Sequence, residues 1–274
     1  MAEVEVKRSP LRSIKMNFPI YQVDAFTGRR FRGNPAAVVV LNEWLPDGVM
    51  AAVAAENNLS ETAFVMLQSE VVPLRWFTPA IEVDLCGHAT LAAAHVILNS
   101  YRRGQDTVRF ATRSGELTVV RQDQLLRMDF PARPGQSIEV TDALVAALGA
   151  RPREALLARD VLAVFDSEDQ IRQLRPDMTR LAALDAFAVI ASAPGNQVDF
   201  VSRFFAPKAG IPEDPVTGSA HCTLTPYWSA KLGKPALSAQ QLSARGGEIW
   251  CELCGDRVTI AGAAVEYLRG EITV

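Results

Sequence analysis

Cys86-Gly87-His88-Ala89-Thr90 runs into an alanine-rich stretch that ends at Leu98, and Thr217-Gly218-Ser219-Ala220-His221 runs into a second apolar stretch that ends at Leu232. Each places a glycine and then small or polar residues at the head of a helical pattern, as a helix that packs closely against its surroundings requires. The first N–H groups of a helix are free and carry about half a positive charge, and glycine lets a ligand come close to the backbone. Two such starts facing one cleft would hold a carboxylate and stabilise the enolate-like charge that forms beside it. The same spacing also fits two alanine-rich core helices capped by turns.

Similar elements flank both helices. Before the first, strands are expected at Ile20–Phe26, Ala36–Leu41, Leu59–Leu67 and Leu74–Phe77, with a helix over 47–57 that Leu45-Pro46-Asp47 would start. After it come strands at Thr107–Ala111, Gly115–Val120 and Leu125–Phe130. A break follows Pro131, around Pro134 and Gly135, and the pattern then restarts. Helices are expected at Asp142–Leu148 and Met178–Leu184, and strands at Ala186–Ser192 and Asp199–Phe205. A helix over Ser219–Leu232 follows, and then a hairpin of Gln241–Leu253 with Arg257–Ala261 about the Gly255-Asp256 turn. The repeated order suggests an internal duplication within an α+β chain. Two domains are expected, 16–130 and 131–264, after an extension at 1–15, and the strand at about 265–274 is free to pack with the first domain.

The 274 residues, 49% of them apolar, are enough for two such domains. A formal charge of -3 offers no basic field for nucleic acid or an anionic membrane surface. The stretch 1–15 mixes acidic and basic residues and has neither signal-peptide nor transit-peptide composition. The longest apolar runs, 36–41 and 91–98, fall short of the roughly 18 residues a membrane span needs. A soluble, cytoplasmic protein with reduced cysteines is expected. Only three His and four Cys are available for a metal or thiol site. His88 and His95 sit about 10 Å apart along one helix, too far to share an ion. Cys251 and Cys254 form half of a zinc knuckle, and in a strand they point to opposite faces. No metal is expected. No glycine-rich dinucleotide fingerprint or phosphate loop is present, so no cofactor is expected either.

Four ordered motifs carry a resemblance: Asn34-Pro35-Ala36-Ala37-Val38, Glu56 to Phe64, Phe77-Thr78-Pro79 to Gly87-His88-Ala89, and Glu213 to Ala220. Together they resemble the PhzF-like phenazine-biosynthesis isomerase family, from about residue 18 onward. The resemblance implies the diaminopimelate epimerase-like fold: two similar domains, each a mixed sheet around a central helix, with the active site between them and no cofactor. It also implies a homodimer. The family's acid/base glutamate matches Glu61, its histidine His88 and its aspartate Asp214. One carboxylate would then serve as base and acid, moving a proton on a small cyclic or unsaturated carboxylic acid. Such a base works best with its pKa lifted toward the working pH, and Asp214 beside Glu61 would contribute to that. Asn34, Ser60, Cys86, Gly87, Thr217, Gly218 and Ser219 complete the expected substrate-binding set, and His221 is expected to line the cleft near Ser219.

Cys86 opens a second possibility. Racemases that share this fold resemble it in placing a cysteine at each helix start, but the second position here is Thr217. A hydroxyl cannot replace a thiolate as base at neutral pH, which weighs against two-base racemisation. An epimerase or racemase of an amino or hydroxy acid using Cys86 with a non-thiol partner is one alternative. A non-catalytic small-acid-binding protein is another. A Ser219–His221 hydrolase lacks the Gly-x-Ser-x-Gly elbow.

Overall fold

The order of elements up to Pro131 recurs after it, with two short helices in the second half where the first has one. The computed structural model describes residues 16–274, so the expected extension at 1–15 lies outside the described residues. The first set is β1 (Asn17–Ala25), β2 (Asn34–Leu41), α1 (Asp47–Asn57), β3 (Glu61–Met66), β4 (Val71–Phe77), β5 (Glu82–Val83), α2 (Gly87–Val96), β6 (Thr107–Thr112), β7 (Gly115–Gln122) and β8 (Leu125–Pro131). A link through β9 (Gln136–Ile138) and α3 (Asp142–Leu148) leads to the second set. This comprises β10 (Glu154–Leu157), β11 (Val161–Val164), α4 (Glu168–Gln173), α5 (Met178–Ala183), β12 (Val189–Pro194), β13 (Phe200–Ala206), β14 (Ile211–Asp214), α6 (His221–Leu232), β15 (Ala236–Gln241), β16 (Gly247–Cys254) and β17 (Arg257–Gly262), with β18 (Ala264–Thr273) last.

The pairings repeat strand for strand. In the first half β1–β2 is antiparallel, β2–β3 parallel, β3–β4 antiparallel, β4–β6 parallel, and β6–β7 and β7–β8 antiparallel. The second half shows the same six relations from β10–β11 to β16–β17. β8 pairs with β17 and joins the two sheets, and β18 returns to lie along β1.

Each sheet curls around one helix, for a reason legible in composition. From His88 to Val96 every residue of α2 except His95 is buried, and alanines at 89 and 92–94 let the strands approach on all sides. α6 is buried from His221 to Thr225 and again at Tyr227–Ser229. Pro226 lies inside α6 and cannot donate to the Cys222 carbonyl, which instead accepts from Arg133 N–H of the link at 2.8 Å. Proline chemistry in one helix thus fastens the connection between the halves.

Several elements depart from the sequence expectation. The stretch Gln241–Leu253 is two strands: β15 ends at Gln241 and β16 begins at Gly247, after a turn that contains Gly246 at positive φ. The second long helix begins with a 3-10 turn at Gly218–Ala220, and α6 proper starts at His221. The first ends at Val96 and passes into a π-helical turn, Ile97–Tyr101. No described helix is long and apolar enough to cross a membrane.

Candidate active site

The two glycines that open the helical segments meet between the halves. A Cβ on Gly87 would lie 3.9 Å from Gly218 Cα, in van der Waals contact, so the two backbones run side by side here. Neither the Cys86 nor the Thr217 side chain caps its helix start. The Phe26 ring packs beneath, and a Cβ on Gly218 would be 3.5 Å from its Cζ.

Over these starts opens a cavity of about 530 Å³. Glu61, Cys86, Gly87, His88, Asp214, Thr217, Gly218 and Ser219 all line it. Glu61 is the first residue of β3 and is held in parallel register with Ala36 of β2. His88 lies in the first turn of α2 and Asp214 ends β14. The rest of the wall is largely apolar, from Ile81, Val83, Leu85, Phe130, Phe187, Phe204 and Ile211. A larger depression of about 720 Å³, beside Trp250 and Leu125, holds none of the expected site residues.

His88 Nε2 lies 2.9 Å from Glu61 Oε2. The approach is that of an ion pair without linear N–H···O alignment, since both atoms are buried and lack a well-aligned hydrogen bond. His88 Nδ1 is 3.5 Å from Cys86 Sγ and 3.3 Å from the Asn34 amide nitrogen.

A family model for phenazine biosynthesis-like proteins, PhzC-PhzF, matches residues 23–270. The chain belongs to this PhzF-like family. It is 52% identical to an uncharacterised isomerase of Pseudomonas aeruginosa, over 94% of this chain and 99% of that protein. The crystal structure of a PhzF family protein from Enterococcus faecalis superposes with a TM-score of 0.93 at 47% identity, covering 94% and 100% of the two chains. The fold extends to a probable proline racemase from Agrobacterium radiobacter, with a TM-score of 0.61 at 10% identity and 93% and 92% coverage. This PhzF-like protein is therefore an isomerase, and its fold is shared with that racemase.

Two expected ligand-contacting residues of the PhzF-like cleft sit behind its wall. Asn34 is fully buried, and its amide donates to Asp214 Oδ1 at 2.8 Å and to the Val216 carbonyl at 2.9 Å. Ser60 donates to Asn34 Oδ1 at 3.0 Å, so the pair orients Asp214. The Thr217 hydroxyl is likewise turned to Asp214 Oδ2. The expectation for His221 is corrected. It is fully buried beside Phe200 and off the cavity wall, with Nδ1 3.0 Å from the Thr217 carbonyl. Burial pushes its pKa down to about 4, so it is a neutral ring that braces the turn. Gln241 is a support that sequence reading missed. It accepts from Thr217 N–H at 2.8 Å and donates to the Asp214 carbonyl at 2.7 Å.

Burial dominates the electrostatics. Desolvation lifts Asp214 to about 6, against the opposing pull of His88 and the Thr217 hydrogen bond. It also raises the Cys86 thiol, which disfavours thiolate. For His88, burial works against the charged ring, but Cys86 and Glu61 outweigh it and the pKa rises well above 6.5. Cys86 Sγ and Glu61 Oε2, one against each ring nitrogen, are the groups that favour the imidazolium. Glu61, Cys86 and His88 bring one ligating atom each within 4.8 Å of one another.

A carboxyl raised from 3.8 to about 6 binds a proton more tightly when folded, so the native state loses about 3 kcal/mol as pH climbs through that window. Asp214→Asn is expected to stabilise the protein by about 2–3 kcal/mol near pH 8 and to be neutral below about pH 4. Urea midpoints at the two pH values check this, and equal effects at both would contradict it.

Proposed function

We propose that the PhzF-like cleft catalyses a proton shift on a small cyclic or unsaturated carboxylic acid, with Glu61 as the only proton carrier. The observation that carries the reading is the unaligned, buried Glu61 Oε2 on the cleft wall, 2.9 Å from His88 Nε2 and next to two uncapped helix starts. The substrate carboxylate sits at those starts, where free N–H groups offset the charge that develops on it. Glu61, as carboxylate, takes a proton from a carbon of the unsaturated system. The carbon–hydrogen electron pair moves into that system, toward the carboxylate. Glu61 then returns the proton to another carbon, and substrate and product are isomers with every atom conserved. His88 lies against the Glu61 carboxylate, and Asp214, lifted to about 6 by burial, faces the same cavity. A homodimer belongs to this reading on the family resemblance.

Turnover in D₂O tests it. A single carrier shielded from water returns part of the substrate's own hydrogen, so the product retains a fraction of it by mass spectrometry. Cys86→Ser is expected to keep turnover within about threefold, because Cys86 carries no proton in this scheme. Complete deuteration at a stereocentre, together with loss of turnover in Cys86→Ser, would instead favour the epimerase reading.

A further inference from the structure

We propose that Arg159, lying over Phe187, reads a second anionic group, so that the acids taken by this cleft are dianions with an apolar, unsaturated or cyclic spacer. The inference rests on the preceding reading, which seats one carboxylate at the helix starts.

Arg159 occupies the turn between β10 and β11 and lines the same cavity as Glu61 and His88. Its guanidinium carbon is 4.8 Å from the centroid of the half-exposed Phe187 ring, a geometry that holds the group in place. Several other arginines are bound to carboxylates, among them Arg75 to Glu82, Arg172 to Glu168 and Arg245 to Asp24. Arg203 also lies over an aromatic ring, that of Phe205, yet it pairs with Glu213 at 2.7 Å. Among the described residues Arg159 has no such carboxylate, and its neighbour Asp160 is buried with Oδ1 unpartnered. The other cation on the wall, Lys208, gives its ammonium to the Leu184 carbonyl. Arg159 thus keeps a planar fork of five donors, the geometry that takes a carboxylate or phosphate through two parallel hydrogen bonds. The wall otherwise contributes Val83, Leu85, Phe130, Phe204 and Ile211, none of which can offset charge. An acid with charge at both ends and carbon between matches that distribution.

The test is calorimetric binding of skeleton-matched acids to the full chain: sorbate against trans,trans-muconate, and benzoate against isophthalate. A preference for the diacid of about tenfold is expected for at least one pair, a modest figure because Arg159 is exposed. Arg159→Ala should bring that ratio to near one, Arg159→Lys should retain part of it, and added salt should shrink it. A ratio near one in the wild type, a ratio unchanged in Arg159→Ala, or binding of no acid up to about 10 mM overturns the proposal. The two readings fail separately. Equal affinities with turnover that depends on Glu61 would leave the proton shift standing. An Arg159-dependent diacid preference with turnover indifferent to Glu61 would do the reverse.

Discussion

Glu61→Gln is expected to lose about 10²–10⁴-fold in turnover while keeping the shape of the cleft. Glutamine matches glutamate in volume and reach but cannot hold and return a proton, so only the carrier is removed. The variant also withdraws the carboxylate 2.9 Å from His88 Nε2, one of the two groups that favour the imidazolium. The His88 pKa should therefore fall, and ¹⁵N-resolved titration of the ring reads this independently of any substrate. A histidine whose folded pKa is raised contributes stability that is fully present below 6.5, its ordinary value, and is lost as pH rises through the folded value. Glu61→Gln should accordingly cost stability at mildly acidic pH and little at alkaline pH. Turnover within tenfold of wild type would sink the assignment of Glu61, whatever the ring titration shows.

Gly33→Ala is expected to cost about 3 kcal/mol or more and to reach the site without touching it. Gly33 sits at φ 65° in the turn before β2, where a Cβ would stand 2.1 Å from the Ala25 carbonyl oxygen and 2.7 Å from Thr27 Cγ2. Backbone is the obstacle, so the turn has to move. It is tied to the other half, since Gly33 N–H donates to the Gly246 carbonyl at 2.8 Å and the Gly33 carbonyl accepts from Arg245 Nε at 2.8 Å. The next residue, Asn34, orients Asp214. A lower urea midpoint with an unchanged slope, accompanied by reduced turnover, is the expected result. Gly28→Ala is the control, because nothing lies within 4 Å of its Cβ position. A loss under about 1 kcal/mol in Gly33→Ala would show that the turn relaxes freely.

Much of the fold was legible because patterning and packing agree. The helix over 47–57 and the helix at Asp142–Leu148 have the bounds read from sequence. The four-residue strands β10 and β11 escaped, being too short for a period of two to stand out. The short α4 carried a usable signal: Ser167 and Gln170 form a capping box. At the site, motif matching identified the neighbourhood but not which residues face the cavity. Ser60 shares a motif with Glu61 and Asn34 heads another, yet both point behind it, toward Asp214, because side-chain direction depends on how the chain enters β2 and β3. Gln241 had no local signal at all. Its role comes from the end of β15 passing under the 214–217 turn.

The return of β18 to β1 bears on how the chain acquires its structure during synthesis. β18 emerges from the ribosome after every other described strand, yet it pairs along β1, the first of them, from Asn17 opposite Thr273 to Ala25 opposite Ala264. Until it arrives, the outer edge of β1 exposes unpaired N–H and C=O groups, an invitation to strand pairing with other chains. The early half therefore cannot finish first and wait for the later one, and such long-range closure is slow. Assembly of the cleft and protection of that edge become late events, completed together once β18 has emerged.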